Sequence, residues 1–156
     1  MSLERAKAHL EKYHLEHRIQ LFDVSSATVG LAAEALGVDD DLIAKTLSFR
    51  DGDSAFLIVL SGRARLDNRK FKQRFQMKAR MLPAEECEGL IGHAVGGVCP
   101  FGVNQGIPVY LDTSLQKHRT VFPATGTAKS AIELTPDELF TVSEAIEWVS
   151  VSKDEA

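Results

Sequence analysis

The sequence predicts an α/β protein of the α+β kind, in which short helices surround a mixed, partly curled β-sheet. Segments with strand character and segments with helical periodicity both occur along the 156 residues. Their order is irregular, unlike the regular strand–helix alternation of a doubly wound fold. A hydrophobic content of 44% excludes a disordered chain, and the length fits one domain spanning residues 1–156.

The first half of the chain contains three segments with helical periodicity and three with strand character. Helices are predicted over residues 2–14, 28–36 and 68–75, and strands over residues 18–24, 45–50 and 55–61. Gly37 suits the end of the second helix, and Asp67 can cap the third. Asp39 or Asp40 can begin a further short helix. Because Asp51-Gly52-Asp53 is a turn signal between two apolar strands, we expect a β-hairpin there.

The second half begins and ends with regular elements around a loop rich in glycine. Strands are predicted over residues 78–82, 107–112, 131–134 and 147–151, and helices after Pro83 and after Thr135. Residues 92–106 contain five of the eleven glycines, which indicates an irregular loop. Residues 152–156 are expected to be frayed.

Several classes of protein are excluded by what the sequence lacks. No apolar run approaches the length of a membrane span, and the N-terminus has no apolar signal segment, so a cytoplasmic location is expected. Neither Cys87 nor Cys99 lies in a metal-binding spacing, and the five histidines form no paired metal motif. We therefore expect neither a metal ion nor another cofactor.

Charge is distributed unevenly along the chain. The formal net charge is −4, but residues 63–80 contain eight basic residues and a single acidic one, Asp67. Such a stretch suits contacts with the phosphates of a polyanion, although a solvated helix face is the more common explanation of a charge run. The candidate contacts are Arg63, Arg65, Arg69 and Lys70.

Three segments could carry chemistry. Lys45 opens an apolar strand, where it either extends into solvent or holds an oxygen atom in a cleft. Residues 96–102 read Gly-Gly-Val-Cys-Pro-Phe-Gly, a loop that can aim backbone N–H groups at a developing negative charge or simply form a tight turn. Residues 122–130 form a small, polar segment that is either a second pocket wall or an ordinary connection.

Taken in order, these segments resemble the YbaK/ProX/EbsC family, also called the prolyl-tRNA-synthetase-associated or INS-like editing domain. The resemblance covers nearly the whole chain. It is carried by Thr28–Val38, by Ile43–Arg50 with the family's lysine motif, by Ser61–Asp67, by the GGxxPxG-like loop at 96–102 and by residues 122–136. It implies a mixed β-sheet with surrounding helices, and a trans-acting aminoacyl-tRNA deacylase, which is a hydrolase of translation quality control. The implied substrate is a small amino acid such as Cys or Ala, wrongly attached to tRNA-Pro.

The resemblance also assigns roles to residues. Lys45 matches the functional lysine and is expected to be catalytic, holding the terminal adenosine phosphate or the reacting group. Backbone N–H groups at Gly97 and Gly102 are expected to bind the scissile carbonyl or the main-chain atoms of the substrate. The residues expected to bind substrate are Thr46, Gly96, Gly97, Cys99, Phe101, Gly102, Gly126 and Thr127. The basic residues named above become candidates for contacts with tRNA.

The expected partners are the 3′ end of an aminoacyl-tRNA and prolyl-tRNA synthetase. Some branches of the family carry a second glycine near Lys129, which this chain lacks, so the substrate stays open. Because no histidine partner of Cys99 is identifiable in the sequence, nucleophilic use of its thiol is not implied. An alternative from another class is a module of the same fold that binds tRNA or a small ligand without hydrolysing it.

Overall fold

The computed structural model describes residues 2–25 and 27–153. In that part of the chain the α-helices are α1 (Ser2–Glu11), α2 (Val29–Leu36), α3 (Asn68–Phe75), α4 (Ala84–Ile91) and α5 (Pro136–Val142). The strands are β1 (Ile19–Leu21), β2 (Ile43–Asp51), β3 (Ser54–Ser61), β4 (Arg65–Leu66), β5 (Val109–Asp112), β6 (Phe122–Pro123), β7 (Ser130–Ile132), β8 (Trp148–Val149) and β9 (Ser152–Lys153). Short 3₁₀ helices lie at Glu16–Arg18, Asp40–Leu42 and Thr113–Lys117.

The central sheet is mixed, as predicted. Its strands lie in the order β6-β2-β3-β5-β8, with β2 and β3 antiparallel and the other neighbours parallel. Single bridges at Val121–Leu134 and Ala124–Ala131 connect the β6 region to β7, which pairs with β1. The antiparallel pair of β4 and β9 forms a further small sheet. The predicted α/β architecture, with short helices around a mixed sheet, is confirmed.

The strand β3 lies at the centre of the fold because both of its faces are buried. Leu57 and Val59 face a large core that also receives side chains from α1, α4 and α5. Phe56, Ile58 and Leu60 point the other way, into an aromatic cluster beneath α3. Alternation along a strand sends neighbouring side chains to opposite faces, so a continuous apolar run is what two buried faces require.

The predicted caps Gly37, Asp67 and Thr135 are confirmed, and Thr28 is a further cap that was predicted to lie within its helix. The Thr28 hydroxyl accepts a hydrogen bond from Leu31 N at α2, and Gly37 ends that helix at φ 70°. The Asp67 carboxylate accepts from the backbone N–H groups of Arg69 and Lys70 at α3. At α5, Thr135 and Glu138 form a capping box, which satisfies backbone donors in both directions.

Two strand predictions and the prediction of a frayed C-terminus need correction. Residues 78–82 form no strand; Met81 makes a single bridge to Phe49, which leaves the segment as an irregular edge. The strand predicted over residues 18–24 is confined to Ile19–Leu21 and follows a 3₁₀ turn. Ser152 and Lys153 were expected to be frayed, but they pair with Leu66 and Arg65, while residues 154–156 lie outside the described part.

Candidate functional site

A cavity of about 140 Å³ opens where the start of β2 meets the N-terminal end of α2 and two loops that contain glycine. The first glycine loop covers residues 92–106, and the second covers residues 124–129. Its wall is mostly small and apolar, with four polar side chains from Thr28, Lys45, Thr46 and Ser130. The remaining wall residues are Ala27, Val29, Ala32, Ile43, Ala44, Gly96, Val98, Phe122, Ala124 and Ala131. A concave apolar wall with a few convergent polar groups is typical of a small-molecule site.

Lys45 is held in the cavity wall by backbone carbonyl groups. Its Nζ donates to Ala64 O at 2.5 Å and to Gly62 O at 3.2 Å, both on the turn that follows β3. Lys45 itself is half-buried on β2, opposite Leu60 of β3. Because two carbonyl oxygens and a rigid strand orient the side chain, its positive charge has a defined position beside the cavity.

Thr46 presents a polar atom to the same cavity. Its Oγ1 is buried and has no hydrogen-bond partner among the described residues. On the facing wall, the Ser130 hydroxyl lies 3.1 Å from the Thr127 hydroxyl, and Thr127 Oγ1 accepts from Lys129 N. Since a buried polar atom without a partner costs free energy, Thr46 Oγ1 is suited to a polar group of a ligand or to a water molecule.

The two glycine-containing loops pack directly against each other. A Cβ at Gly97 would overlap the carbonyl group of Gly126, and a Cβ at Gly126 would overlap the Ser2 carbonyl at the start of α1. Gly97 N–H donates to Ala94 O at 3.0 Å. This N–H is therefore engaged within its own loop, and its contact with a substrate stays a prediction.

Arg5 and Asn104 connect the ends of the first glycine loop, and neither residue was predicted from the sequence to have this role. Arg5 donates to Asn104 Oδ1 at 2.9 Å and to Gly92 O at 3.4 Å. The Asn104 side-chain amide donates to Gly89 O at 2.9 Å and Leu90 O at 3.0 Å, at the end of α4. A separation of 99 residues between Arg5 and Asn104 gives no local signal of this contact.

Cys99 and Phe101 lie in the core, away from the cavity wall. Both are fully buried, and Cys99 Sγ lies 3.5 Å from Nε2 of the buried His93. Burial raises the pKa of the Cys99 thiol to about 12, because a thiolate would lose its hydration there. Burial likewise lowers the pKa of His93, whose Nε2 donates to Phe101 O at 2.7 Å. The pair is thus a packing contact between neutral groups.

Gly102 also lies at a packing position. Its φ is 69°, and a Cβ there would lie 2.6 Å from the backbone oxygen of Arg5, which is too close. The residue therefore lets α1 approach the loop closely, which a larger side chain at this φ would prevent. Of the predicted substrate-binding residues, Thr46 and Gly96 line the cavity, and the other glycines and Thr127 shape the loops around it.

The candidate tRNA-binding residues follow the turn that holds Lys45. Arg63 is exposed and forms an ion pair with Asp39 at 2.9 Å. Arg65 and Arg69 are exposed on β4 and α3, whereas Lys70 donates to Ser152 O at 2.8 Å. Continuity along the chain thus places the start of the basic stretch next to the cavity, with Lys70 used at least partly for structure.

The described residues contain neither a cluster of metal ligands nor a membrane-spanning helix. No group of three or more His, Cys, Asp or Glu within 2–25 and 27–153 is arranged to hold a metal ion. None of the helices in those ranges is both long and apolar enough to cross a membrane.

Comparison with known proteins gives three concordant results. Residues 24–142 match the family model of the aminoacyl-tRNA editing domain. The chain is 49% identical over 155 residues to the uncharacterized protein YwhH of Bacillus subtilis (strain 168), with 99% of each chain covered. It also resembles a crystal structure provisionally assigned as a trans-editing enzyme for prolyl tRNA synthetase, with a TM-score of 0.87, 32% identity and 97% of each chain covered. The hypothetical protein APE2540 matches at a TM-score of 0.79 and 27% identity, over 93% of this chain and 99% of its own.

Proposed function

Because the chain belongs to the aminoacyl-tRNA editing domain family, we propose that it is a trans-acting deacylase that hydrolyses the ester of a mischarged tRNA. The observation that carries this proposal is the placement of Lys45, oriented by two carbonyl oxygens, in the wall of a small cavity. The ester would enter the cavity with its amino acid first, and the terminal nucleotide would remain at the opening.

The amino acid is proposed to be small, such as Cys or Ala. A volume of about 140 Å³ and a wall built largely from alanine, valine and glycine leave room for a short side chain. A pocket of this kind excludes larger residues by steric overlap far better than it separates two small ones. The proposed tRNA is tRNA-Pro, with prolyl-tRNA synthetase as a partner, on the likeness to the structure assigned as a trans-editing enzyme for that synthetase.

In the proposed mechanism, Lys45 supplies positive charge beside the ester. Its ammonium group would hold the terminal adenosine phosphate or the reacting carbonyl oxygen, which becomes negative as water attacks. The attacking water, assisted by the 2′-hydroxyl of the substrate, adds to the carbonyl carbon. The ester C–O bond then breaks, the ribose oxygen takes a proton, and the free amino acid leaves.

The surrounding residues are proposed to position the substrate rather than to react. Thr46 Oγ1 would form a hydrogen bond with the bound aminoacyl group. Gly96, Gly126 and Thr127 would form the loop surfaces that contact this group. Arg63, Arg65 and Arg69 would contact backbone phosphates of the tRNA without reading its sequence. These phosphate contacts predict binding that weakens as salt rises.

A deacylation screen tests the proposal and identifies the substrate. Purified protein would be mixed with excess tRNA-Pro charged separately with Ala, Ser, Cys, Thr or Pro, and free amino acid would be measured over many turnovers. We expect release from one or two of the small mischarged esters, with Pro-tRNA-Pro spared. Protection of every ester against spontaneous hydrolysis, without release, would instead favour the binding module.

A further inference from the structure

Asp41 is a buried acid on the 3₁₀ helix that precedes β2, and the proposed mechanism does not use it. Its Oδ1 accepts from Arg63 N at 2.9 Å. Its Oδ2 lies 2.8 Å from His118 Nε2 and 3.0 Å from Lys117 Nζ. In addition, its backbone carbonyl accepts from Gly62 N at 3.4 Å. One residue thus connects the chain before β2 with the turn after β3 and with the segment before β6.

The turn that Asp41 holds is the one that holds Lys45. Asp41 binds the N–H groups of Gly62 and Arg63, and the carbonyl groups of Gly62 and Ala64 accept from Lys45 Nζ. Because a peptide group is planar, the hydrogen bond that fixes Arg63 N–H also fixes the direction of the Gly62 carbonyl, which belongs to the same peptide group. The position of the Lys45 ammonium group therefore depends on contacts made by Asp41.

Gly62 allows the turn after β3 to pack closely against the segment that contains Asp41. A Cβ there would overlap the backbone oxygen of Asp40 and would lie 3.0 Å from Cγ1 of Val29 in α2. The turn is therefore pressed against the residue before Asp41 and against the helix that borders the cavity. A small displacement of Asp41 would move the turn as a unit, because no side chain at Gly62 separates it from the backbone of Asp40.

The charge of Asp41 is stabilised where it lies. Burial by itself would raise the pKa of this carboxyl group, but the hydrogen bond from Arg63 N and the contacts with Lys117 and His118 outweigh it. Its pKa consequently lies well below the ordinary range, so the group is ionised at neutral pH. An ionised carboxylate binds backbone N–H groups more strongly than a neutral acceptor does.

We infer that Asp41 is a positioning residue for the reaction: it fixes the turn over residues 61–64, whose carbonyl groups aim Lys45 at the substrate. The inference rests on the proposed function for the claim that Lys45 acts on an ester. The mechanical part, in which Asp41 determines the environment of Lys45, is independent of any activity. A residue that acts in this way alters the chemical step more than substrate binding.

The test compares Asp41→Ala with the native protein by two readouts. The first is the rate at which an amine-acylating reagent modifies Lys45, followed by peptide mass spectrometry. We expect Asp41→Ala to raise that rate by about threefold or more, because the released turn no longer shields the ammonium group. The second is hydrolysis of the ester found in the screen, where kcat should fall by about 10- to 100-fold with KM nearly unchanged.

Conservative and control variants separate positioning from general loss of stability. Asp41→Asn keeps an oxygen that can accept from Arg63 N, so it should restore much of the native modification rate and kcat. Glu138→Ala removes a carboxylate that accepts from Thr135 N at 2.9 Å and pairs with Arg18 at 3.0 Å, two partners outside the turn over residues 61–64. Glu138→Ala should lower the melting temperature and leave Lys45 modification unchanged.

An unchanged modification rate of Lys45 in folded Asp41→Ala would overturn the inference. If Asp41→Ala does not fold, His118→Ala is the less disruptive variant, because it removes only one contact of the Asp41 carboxylate. The inference then requires that His118→Ala raise the modification rate of Lys45. If the native protein hydrolyses no ester, the proposed function fails, and the modification rate alone decides whether Asp41 controls Lys45. A fall in kcat together with an unchanged Lys45 environment would also count against positioning through the turn.

Discussion

At the scale of single residues, the local environments of Lys45 and Cys99 give their reactive groups different states. Lys45 reaches two carbonyl oxygens from a half-buried position, so its ammonium group is hydrogen-bonded and lies beside the cavity. Cys99 is fully buried against His93, and burial raises its pKa to about 12. A thiolate is the reactive form of cysteine, and this environment suppresses it. Of these two groups, the charged lysine borders the cavity, whereas the thiol lies in the core.

Replacing Cys99 by Ala should leave hydrolysis intact and lower stability. We expect a free energy of unfolding reduced by about 1 kcal/mol, because the thiol fills core volume, and a kcat within about threefold of native. Urea denaturation and the deacylation assay measure the two effects. Loss of hydrolysis in a variant of native stability would make Cys99 a participant in the reaction.

The residue-level prediction from sequence was limited by long-range contacts. Lys45 stood out because the resemblance supplied a motif, and its strand position followed from the apolar run around it. Its carbonyl partners and the role of Asp41 could not be seen, since they depend on a turn that folds back across 17 to 22 residues. The His93–Cys99 contact spans six residues of irregular loop, where no periodic rule predicts which side chains meet.

At the scale of elements, one part of the cavity wall comes from loops that glycine allows to meet. The first glycine loop touches the loop over residues 124–129 at Gly97 and Gly126, and α1 closes over both. Asn104 and Arg5 keep the ends of the first loop together. The shape of the cavity wall thus depends on backbone contacts, which side-chain patterns in a sequence do not report.

Two glycine substitutions should have opposite effects. Gly97→Ala would place a Cβ against the Gly126 carbonyl, so we expect it to separate the loops, destabilise the protein and lower kcat/KM. Gly30→Ala lies in α2 with no atom within 4 Å of the added Cβ, and should raise the free energy of unfolding by about 0.5–1 kcal/mol. Urea denaturation of both variants measures this contrast. Equal effects would refute the role of the loop contact.

Elements with local signals were predicted well, and elements that need distant partners were not. The helix α3 follows from Asp67 as its cap and from Phe71 and Phe75 on one face, whose ring centroids lie 4.8 Å apart. In contrast, pairing of Ser152 and Lys153 with β4 is a property of the folded chain. The segment over residues 78–82 has strand character, but only one bridge is available to it.

At the scale of the whole molecule, the net charge gives no information on which basic residues form ion pairs with acidic residues. Basic residues of the 63–80 stretch are partly tied to acids elsewhere, as Arg74 is to Glu147 at 2.8 Å. Their electrostatic effect on a polyanion is therefore smaller than the sequence count indicates. The segment next to the cavity, beginning at Arg63, is the part that the proposed function uses.

Acid should destabilise the protein through several carboxyl groups together. The folded pKa values of Asp41, Asp67, Glu138 and Glu144 lie below their ordinary values of 3.8 for Asp and 4.5 for Glu. Below about pH 4.5 the unfolded chain binds more protons, so the free energy of unfolding falls as pH drops. Above that range the contribution of these groups is fully present.

Urea denaturation between about pH 3 and pH 7 tests this expectation. We expect a plateau near neutral pH and a decline toward acid, with a shallower decline in Asp41→Asn because one of the shifted groups is gone. Stability that is constant or rises as pH falls from 5 to 3 would contradict the assigned pKa directions.

The central claim is that this chain hydrolyses an aminoacyl-tRNA ester at the cavity beside Lys45. The most direct test is the rate of amino acid release over many turnovers, from the ester found in the screen, by native protein, Lys45→Ala and the exposed control Lys7→Ala. We predict that Lys45→Ala loses about 100-fold or more of the native rate while it remains folded, and that Lys7→Ala retains it. Full activity in folded Lys45→Ala would contradict the account.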